Sequence, residues 1–372
     1  MKLLNKKVLE KNIEEIAEFD LTENNIFGCS YIVCQNDEVI CKKHFGYADF
    51  HKKIPVCDNT IFRLASMTKP VTAIAILMLI DRGIISLDTP VKTILPQFND
   101  IHCINENGID LGVVKTDVTV MHLLTHTSGV GGIKSHNMSV EDKKSIENTI
   151  NYFVNAGLDF EPFTKQAYSG FASFDVLVAI IEKLTGVDYE EFLQNEIFVP
   201  CNMKDTTFIP TESQCKRIIT MHNKIEGKNG ISNTTEGCVF EDFPYNHKLG
   251  GAGLVSTLAD YSNFAQMLLN KGLTSEKRII SEEIFKLLCT PHVPYDIMPA
   301  YERWGLGVRV ITEDKYEVLP VGTYGWSGAY GSHFWVDPEN KITAVYMKNS
   351  RFDGGSGNKS ACRFEKAVHN AF

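Results

Sequence analysis

Residues 62–91 read FRLASMTKPVTAIAILMLIDRGIISLDTPV, a run that joins a chemical signal to a structural one. Pro70 is tolerated in the first turn of a helix, and Gly83 stands where a C-terminal cap is expected. The residues between are apolar almost all round, so the helix they form should be buried on every side. At its start, Ser66-Met67-Thr68-Lys69 sets a hydroxyl and an amine three residues apart, on one helical face. Burial lowers a lysine pKa from its usual ~10.4, and a neutral amine accepts a proton. The helix N-terminus also favours negative charge developing at Ser66, by about 0.3–1 kcal/mol. A serine so placed is an activated nucleophile.

The four letters alone do not carry that conclusion, because a serine at a helix start also serves as an N-cap. The pattern S-x-x-K recurs at Ser213 to Lys216, in a polar stretch after Pro210, and at Ser356 to Lys359, in a glycine-rich loop. Neither opens a buried apolar helix, so neither desolvates its lysine.

Working outward, residues 6–19 have the periodicity of an amphipathic helix. Strand-like runs at 29–34 and 38–47 are joined by Asn36-Asp37 as a hairpin. From about 86 to 250 the chain alternates helical segments with polar loops, one helix covering 175–184 and ending at Gly186. A helix over 258–269 leads into strands at 305–310, 333–336 and 342–347, with residues 337–340 turning between the last two. A helix over 361–371 closes the chain. Strands at both ends with helices between predict an α/β fold. A discontinuous α/β domain (1–85 and 250–372) is expected to be split by a mainly helical domain (86–249).

Composition excludes several functions. Charged residues make up 22% of the 372, and the formal charge of −9 is scattered, which reads as a solvated surface without a nucleic-acid partner. The longest apolar run, 71–80, is too short to span a bilayer, and no signal-peptide core is present. A cytoplasmic protein is expected. The 10 cysteines form no C-x-x-C pair, so they read as reduced, mostly buried thiols without zinc. No P-loop, dinucleotide fingerprint or G-x-S-x-G elbow is present.

Residues 62–91 closely resemble the corresponding stretch of class C β-lactamases, penicillin-binding proteins and the β-lactamase-like (family VIII) carboxylesterases. Four further stretches match in family order. They are TVMHLLTHTSGV (119–130), YSGFASFDVLVAIIEKLTG (168–186), GGAGLVSTLADYSNFAQMLLN (250–270) and GWSGAYGSHFWVDP (325–338). The resemblance implies a β-lactamase/transpeptidase-like fold, an antiparallel sheet flanked by helices, and a serine hydrolase without metal or organic cofactor. It places a catalytic tyrosine at Tyr168, expected to begin its own helix. A literal Tyr-Ser-Asn at 261–263 lies mid-helix, in a segment matching a different family stretch. A phenol beside a lysine ammonium has its anion favoured, so either Tyr168 or Lys69 can be the formal base.

The third motif departs from the β-lactamases, which carry a Lys-Thr-Gly where this chain has Trp326-Ser327-Gly328, similar to the W-x-G of the esterases. The resemblance implies an oxyanion hole from the backbone N–H groups of Ser66 and Ala329. Trp326, Ser327, Gly328 and Gly170 are the expected substrate contacts, Ser327 through its hydroxyl. Trp326 removes the cation that would pair with a β-lactam carboxylate. Gly170 stands where an asparagine is expected. Both changes suit a small-molecule carboxylic ester, with β-lactam or D-amino-acid peptide amides as the alternative and a ligand-binding pseudo-enzyme as a non-catalytic one. His122 and His126 stand four apart as in zinc helices, but the accompanying glutamate is missing. His333 and Asp337, which could imitate triad members, are assigned to a strand and its turn.

Overall fold

The computed structural model describes residues 1–23, 26–105, 107–131, 137–225, 228–231, 238–240, 243–314, 318–350, 353–355 and 357–372. Ser356, of the third S-x-x-K, lies outside the described residues.

Helix α1 (Lys6–Glu23) buries Leu9, Ile13 and Ala17, one per turn. The hairpin β1 (Gly28–Gln35) and β2 (Glu38–Asp49) turns at Asn36 and Asp37, both with positive φ, as a two-residue loop demands. β3 (Ile54–Pro55) continues this edge. After the central helices the chain returns as β4 (Glu302–Trp304), β5 (Arg309–Ile311), β6 (Tyr324–Ser327), β7 (His333–Asp337) and β8 (Ile342–Lys348). The sheet order is β4-β5-β6-β7-β8-β1-β2-β3, with antiparallel neighbours throughout, so strands from both ends of the chain meet where β8 pairs with β1.

Alternation sorts the side chains of this sheet into two cores. Tyr31, Val33, Trp335, Ala344 and Tyr346 point toward α1 and the C-terminal helix, while Ile32, Cys34, Phe334, Val336 and Val345 point toward the main core. Central strands covered on both faces read as continuous apolar runs, which is why β1 and β8 are buried at every position.

The segment expected as a single strand at 305–310 is instead a turn and a strand. Gly307, at φ +72°, reverses the chain so that Trp304 pairs with Arg309. The sequence alternates there, but Leu306 and Val308 are core residues of the turn itself. No described helix is long and apolar enough to cross a membrane.

The nucleophile segment is held from two sides. The strand Ile61–Arg63 pairs with Val255–Thr257, and the Leu64 N–H donates to the Leu254 carbonyl (3.0 Å). A 3-10 turn (Ala65–Thr68) then leads into α2 (Lys69–Asp81), in which every residue from Lys69 to Leu79 is buried. Beyond it lie α3 (Val120–Leu124), α4 (Ile146–Ala156), α5 (Ala172–Thr185), α6 (Leu258–Leu269) and α7 (Lys359–His369).

Candidate active site

Ser66 is the second residue of the 3-10 turn and is half-buried. Ala65 before it has φ +46°, a strained value for a side chain with a Cβ, and such strain is kept where it aims a functional group. The turn is clamped from below: Tyr261 donates its hydroxyl to the Met67 carbonyl (2.8 Å), and the Thr68 hydroxyl accepts from the Leu254 N–H (3.1 Å). Tyr261 is fully buried in α6. Its Tyr-Ser-Asn therefore braces the nucleophile's backbone and does not reach the hydroxyl.

Lys69 Nζ lies 3.4 Å from Ser66 Oγ. The amine also donates to the Gly251 carbonyl (2.8 Å) and to the Gly170 carbonyl. The side chain is fully buried, and burial lowers its pKa to about 7, with the Asp175 charge opposing. Two carbonyls can only accept, so a neutral amine spends both of its N–H bonds on them and leaves its lone pair facing Ser66.

Tyr168 completes the group. Its hydroxyl is hydrogen-bonded to Ser66 and accepts from Trp326 Nε1 at 3.2 Å, and Lys69 Nζ sits 4.9 Å from its ring centroid. The residue is 37% exposed, while its hydroxyl is enclosed by Ser66 and Trp326. That enclosure pushes the phenol up to about 12, against the two hydrogen bonds. The expected easing of phenol ionisation is not seen, because desolvation by burial is the largest influence on the hydroxyl. Tyr168 also does not begin a helix: α5 starts at Ala172, and the tyrosine stands on the coil ahead of it.

What fixes a tyrosine on a coil is His126, which sequence reasoning left as a turn residue. Its carbonyl accepts the Ala167 N–H (3.0 Å) and its Nδ1 accepts the Ser169 N–H (3.1 Å), so both flanks of Tyr168 are tied to one residue. Its ring lies 4.6 Å from the Tyr168 ring, centroid to centroid. Burial, with Lys69 adding to it, holds the imidazole neutral, as an accepting Nδ1 requires. His122 turns the other way and takes the Thr119 N–H in a capping box. The signal for His126 was its place between two polar residues just past a short apolar helix. Replacing His126 with phenylalanine should lower kcat about tenfold with little change in KM, the cost of one positioning hydrogen bond. Asparagine, whose carbonyl can accept the Ser169 N–H, should recover part of that loss in steady-state assays.

The third motif divides. Trp326 is on β6 facing Tyr168, with Trp304 beyond it at 4.5 Å between ring centroids. Ser327 is not a substrate contact. Neighbouring residues of a strand face opposite ways, and its hydroxyl meets His333 Nδ1 (2.7 Å) on the other side, where His333 Nε2 is 3.0 Å from Glu365. Gly328 lies against the nucleophile segment: a Cβ there would fall 2.2 Å from the Leu64 carbonyl oxygen. The turn it opens is closed by Gly331 N–H to Gly328 O (2.9 Å) and Gly328 N–H to Ser332 O (2.7 Å). Within it the Ala329 N–H meets no backbone carbonyl among the described residues. A Cβ on Gly170 would meet only open space, so the position where an asparagine was expected is left unfilled. The other S-x-x-K, at Ser213, lies in a single exposed helical turn (Glu212–Cys215) with no buried residue, and Lys216 after it pairs with Glu212. Among the described residues no cluster of histidine, cysteine and acidic side chains could hold a metal.

A sequence profile of the beta-lactamase family matches residues 9–361. The chain belongs to the beta-lactamase family. It is 26% identical to Esterase EstB of Burkholderia gladioli over 94% of this chain and 92% of that one. Among solved structures it is similar to EstCE1, described as a hydrolase with promiscuous acyltransferase activity, with a TM-score of 0.82 at 22% identity over 98% of this chain and 99% of the other. A penicillin-binding protein homologue from Caulobacter crescentus gives a TM-score of 0.80 at 19% identity, over 100% and 99% of the two chains. The protein is a serine hydrolase of the β-lactamase fold, with the antiparallel sheet and flanking helices of that fold.

Proposed function

We propose that the protein hydrolyses a neutral carboxylic ester through an acyl-enzyme on Ser66. The observation carrying this reading is the Trp326 indole N–H on the Tyr168 hydroxyl, 3.2 Å away. In the β-lactamases that corner holds a cation, which would meet a substrate carboxylate. Here an aromatic side chain polarises the tyrosine and presents an uncharged wall.

In the proposed reaction Ser66 Oγ attacks the ester carbonyl while its proton passes to the Lys69 amine. The oxyanion is stabilised by the Ser66 and Ala329 N–H groups. Tyr168, un-ionised, relays the proton from Lys69 to the departing alkoxide, and water then cleaves the acyl-enzyme by the same route. With the amine at about 7, kcat/KM should rise with pH and level off above about pH 7. No limb from Tyr168 should appear in the neutral range, because the phenol is un-ionised until about 12. A pH–rate profile on a p-nitrophenyl ester reads both. A reducing, cytoplasmic setting fits the cysteines, free thiols among the described residues.

Intact-mass measurement after exposure to a fluorophosphonate, a p-nitrophenyl ester and a cephalosporin tests the assignment, with Ser66→Ala as control. An adduct on Ser66 with ester turnover and no cephalosporin turnover is expected. Efficient cephalosporin turnover would move the substrate class to amides, and no adduct with any probe would leave a binding protein.

A further inference from the structure

Helix α5 carries a carboxylate that the proposed reaction does not use. Asp175 is fully buried, and so is His247 beside it. His247 Nε2 lies 2.9 Å from Asp175 Oδ2, and its Nδ1 lies 2.8 Å from the Lys143 carbonyl. A carbonyl only accepts, so Nδ1 carries a hydrogen. The contact on the other side then needs a further proton between Nε2 and Oδ2. The pair is therefore neutral as a whole, either imidazolium with carboxylate or imidazole with carboxylic acid.

The second carboxyl oxygen reaches the lysine pocket. Asp175 Oδ1 accepts the Gly250 N–H (3.1 Å). The Gly250 carbonyl accepts the Thr72 hydroxyl (2.6 Å), and the next carbonyl, Gly251, accepts the Lys69 amine. No side chain fits this turn. A Cβ on Gly250 would fall 2.6 Å from the Phe174 carbonyl oxygen, and one on Gly251 would fall 2.9 Å from Phe171 Cα and 3.1 Å from Lys69 Nζ. The acid, the turn and the amine are thus one packed unit.

We propose that Asp175 and His247 act together as positioning residues that aim the Gly251 carbonyl at the Lys69 amine and present the negative end of their dipole to it. This rests on Ser66 acylation with Lys69 as base. The other titratable groups facing the amine are His126 and Tyr168, both neutral in the working range, and Tyr189 stands across Thr72 with its phenol raised by burial. Burial raises the Asp175 pKa while His247 and Lys69 draw it back, and the Asp175 charge in turn favours the lysine ammonium.

Two variants separate charge from shape. In Asp175→Asn the amide oxygen still accepts from Gly250 and the amide N–H donates to His247 Nε2, so every hydrogen bond survives while the carboxylate and the proton it shares with the imidazole are lost together. The acid limb of Ser66 acylation should then move to lower pH, by up to about one unit, because Asp175 is the member of the pair whose charge acts on the amine. In His247→Gln a neutral amide donates to Asp175, which keeps its charge without a cation, so the limb should move to higher pH. The experiment follows fluorophosphonate labelling of Ser66 by intact mass between pH 5 and 9 in the parent and both variants, with thermal melts to confirm folding. Opposite displacements are the expected result. An unmoved limb in a folded variant, or displacement of both in one direction, overturns the assignment while the acyl-enzyme stands. Should His247→Gln not fold, the isosteric Asp175→Asn decides alone. A parent that never labels on Ser66 removes the acyl-enzyme reading and this one with it.

Discussion

Replacing Lys69 with methionine should lower kcat/KM for a p-nitrophenyl ester by about a thousand- to ten-thousand-fold, the worth of a positioned general base. The acid limb near pH 7 should vanish with it, leaving a flat residual rate. Methionine fills much the same volume and keeps the site apolar, but it has no lone pair basic enough to take the Ser66 proton. The Gly251 carbonyl, which accepts from the amine at 2.8 Å, loses its partner, so a melt should accompany the kinetics. The alternative base is the Tyr168 phenolate, and burial holds that phenol at about 12. If the variant keeps more than a tenth of parental activity, or retains the limb near neutrality, the proton is going elsewhere and the lysine assignment is wrong. A fluorophosphonate should label the variant slowly at all pH values, because labelling uses the same activated hydroxyl.

Gly328→Ala carries the second large effect. The added methyl would lie 2.2 Å from the Leu64 carbonyl oxygen and 2.3 Å from Ser332 Oγ, so backbone must move. The same Leu64 carbonyl accepts the Ser332 hydroxyl (3.0 Å) and the Met67 N–H (3.2 Å), so the contact joins the Gly328–Gly331 turn to the nucleophile turn. Pushing them apart would withdraw the Ala329 N–H from the Ser66 N–H in the proposed oxyanion hole. An oxyanion donor contributes about 3–4 kcal/mol, so kcat should fall about a hundred- to a thousand-fold. Overpacking should cost about 1–3 kcal/mol of stability as well. A boronate, which forms a tetrahedral adduct on the serine, should lose affinity in step with kcat, while KM for the ester changes little. A kcat within threefold of the parent would show that the hole is built elsewhere.

Much of the architecture was legible in advance because period and punctuation are local properties. The buried helix after Ser66 announced itself by a nearly all-apolar run, residues 71–80, between Pro70 and Gly83. The hairpin at Asn36-Asp37 and the helix over 258–269 followed from turn chemistry and spacing, and α6 (Leu258–Leu269) has the bounds read from the pattern. The strand at 305–310 failed where a single glycine at positive φ overrode an alternating pattern. Ser327 could have been rejected beforehand, since it cannot share a strand face with Trp326. The error lay in treating a three-letter motif as one surface.

The amino-acid order alone determined which atoms are present, a hydroxyl three residues from an amine at the mouth of an apolar helix, because a helical repeat brings i and i+3 together wherever it forms. It also ruled out a cation at the third motif. Tertiary packing alone decided what those atoms can do. Lys69 can serve as the proposed base only once α5 and the Gly250–Gly251 turn exclude water from it, and its lone pair is free for Ser66 only when the carbonyls of Gly170 and Gly251 take its hydrogens. His126, 42 positions before Tyr168, and His247, 72 after Asp175, act through contacts that no local pattern encodes. Desolvation and orientation are properties of the assembled pocket, and they exist only when distant segments close around it.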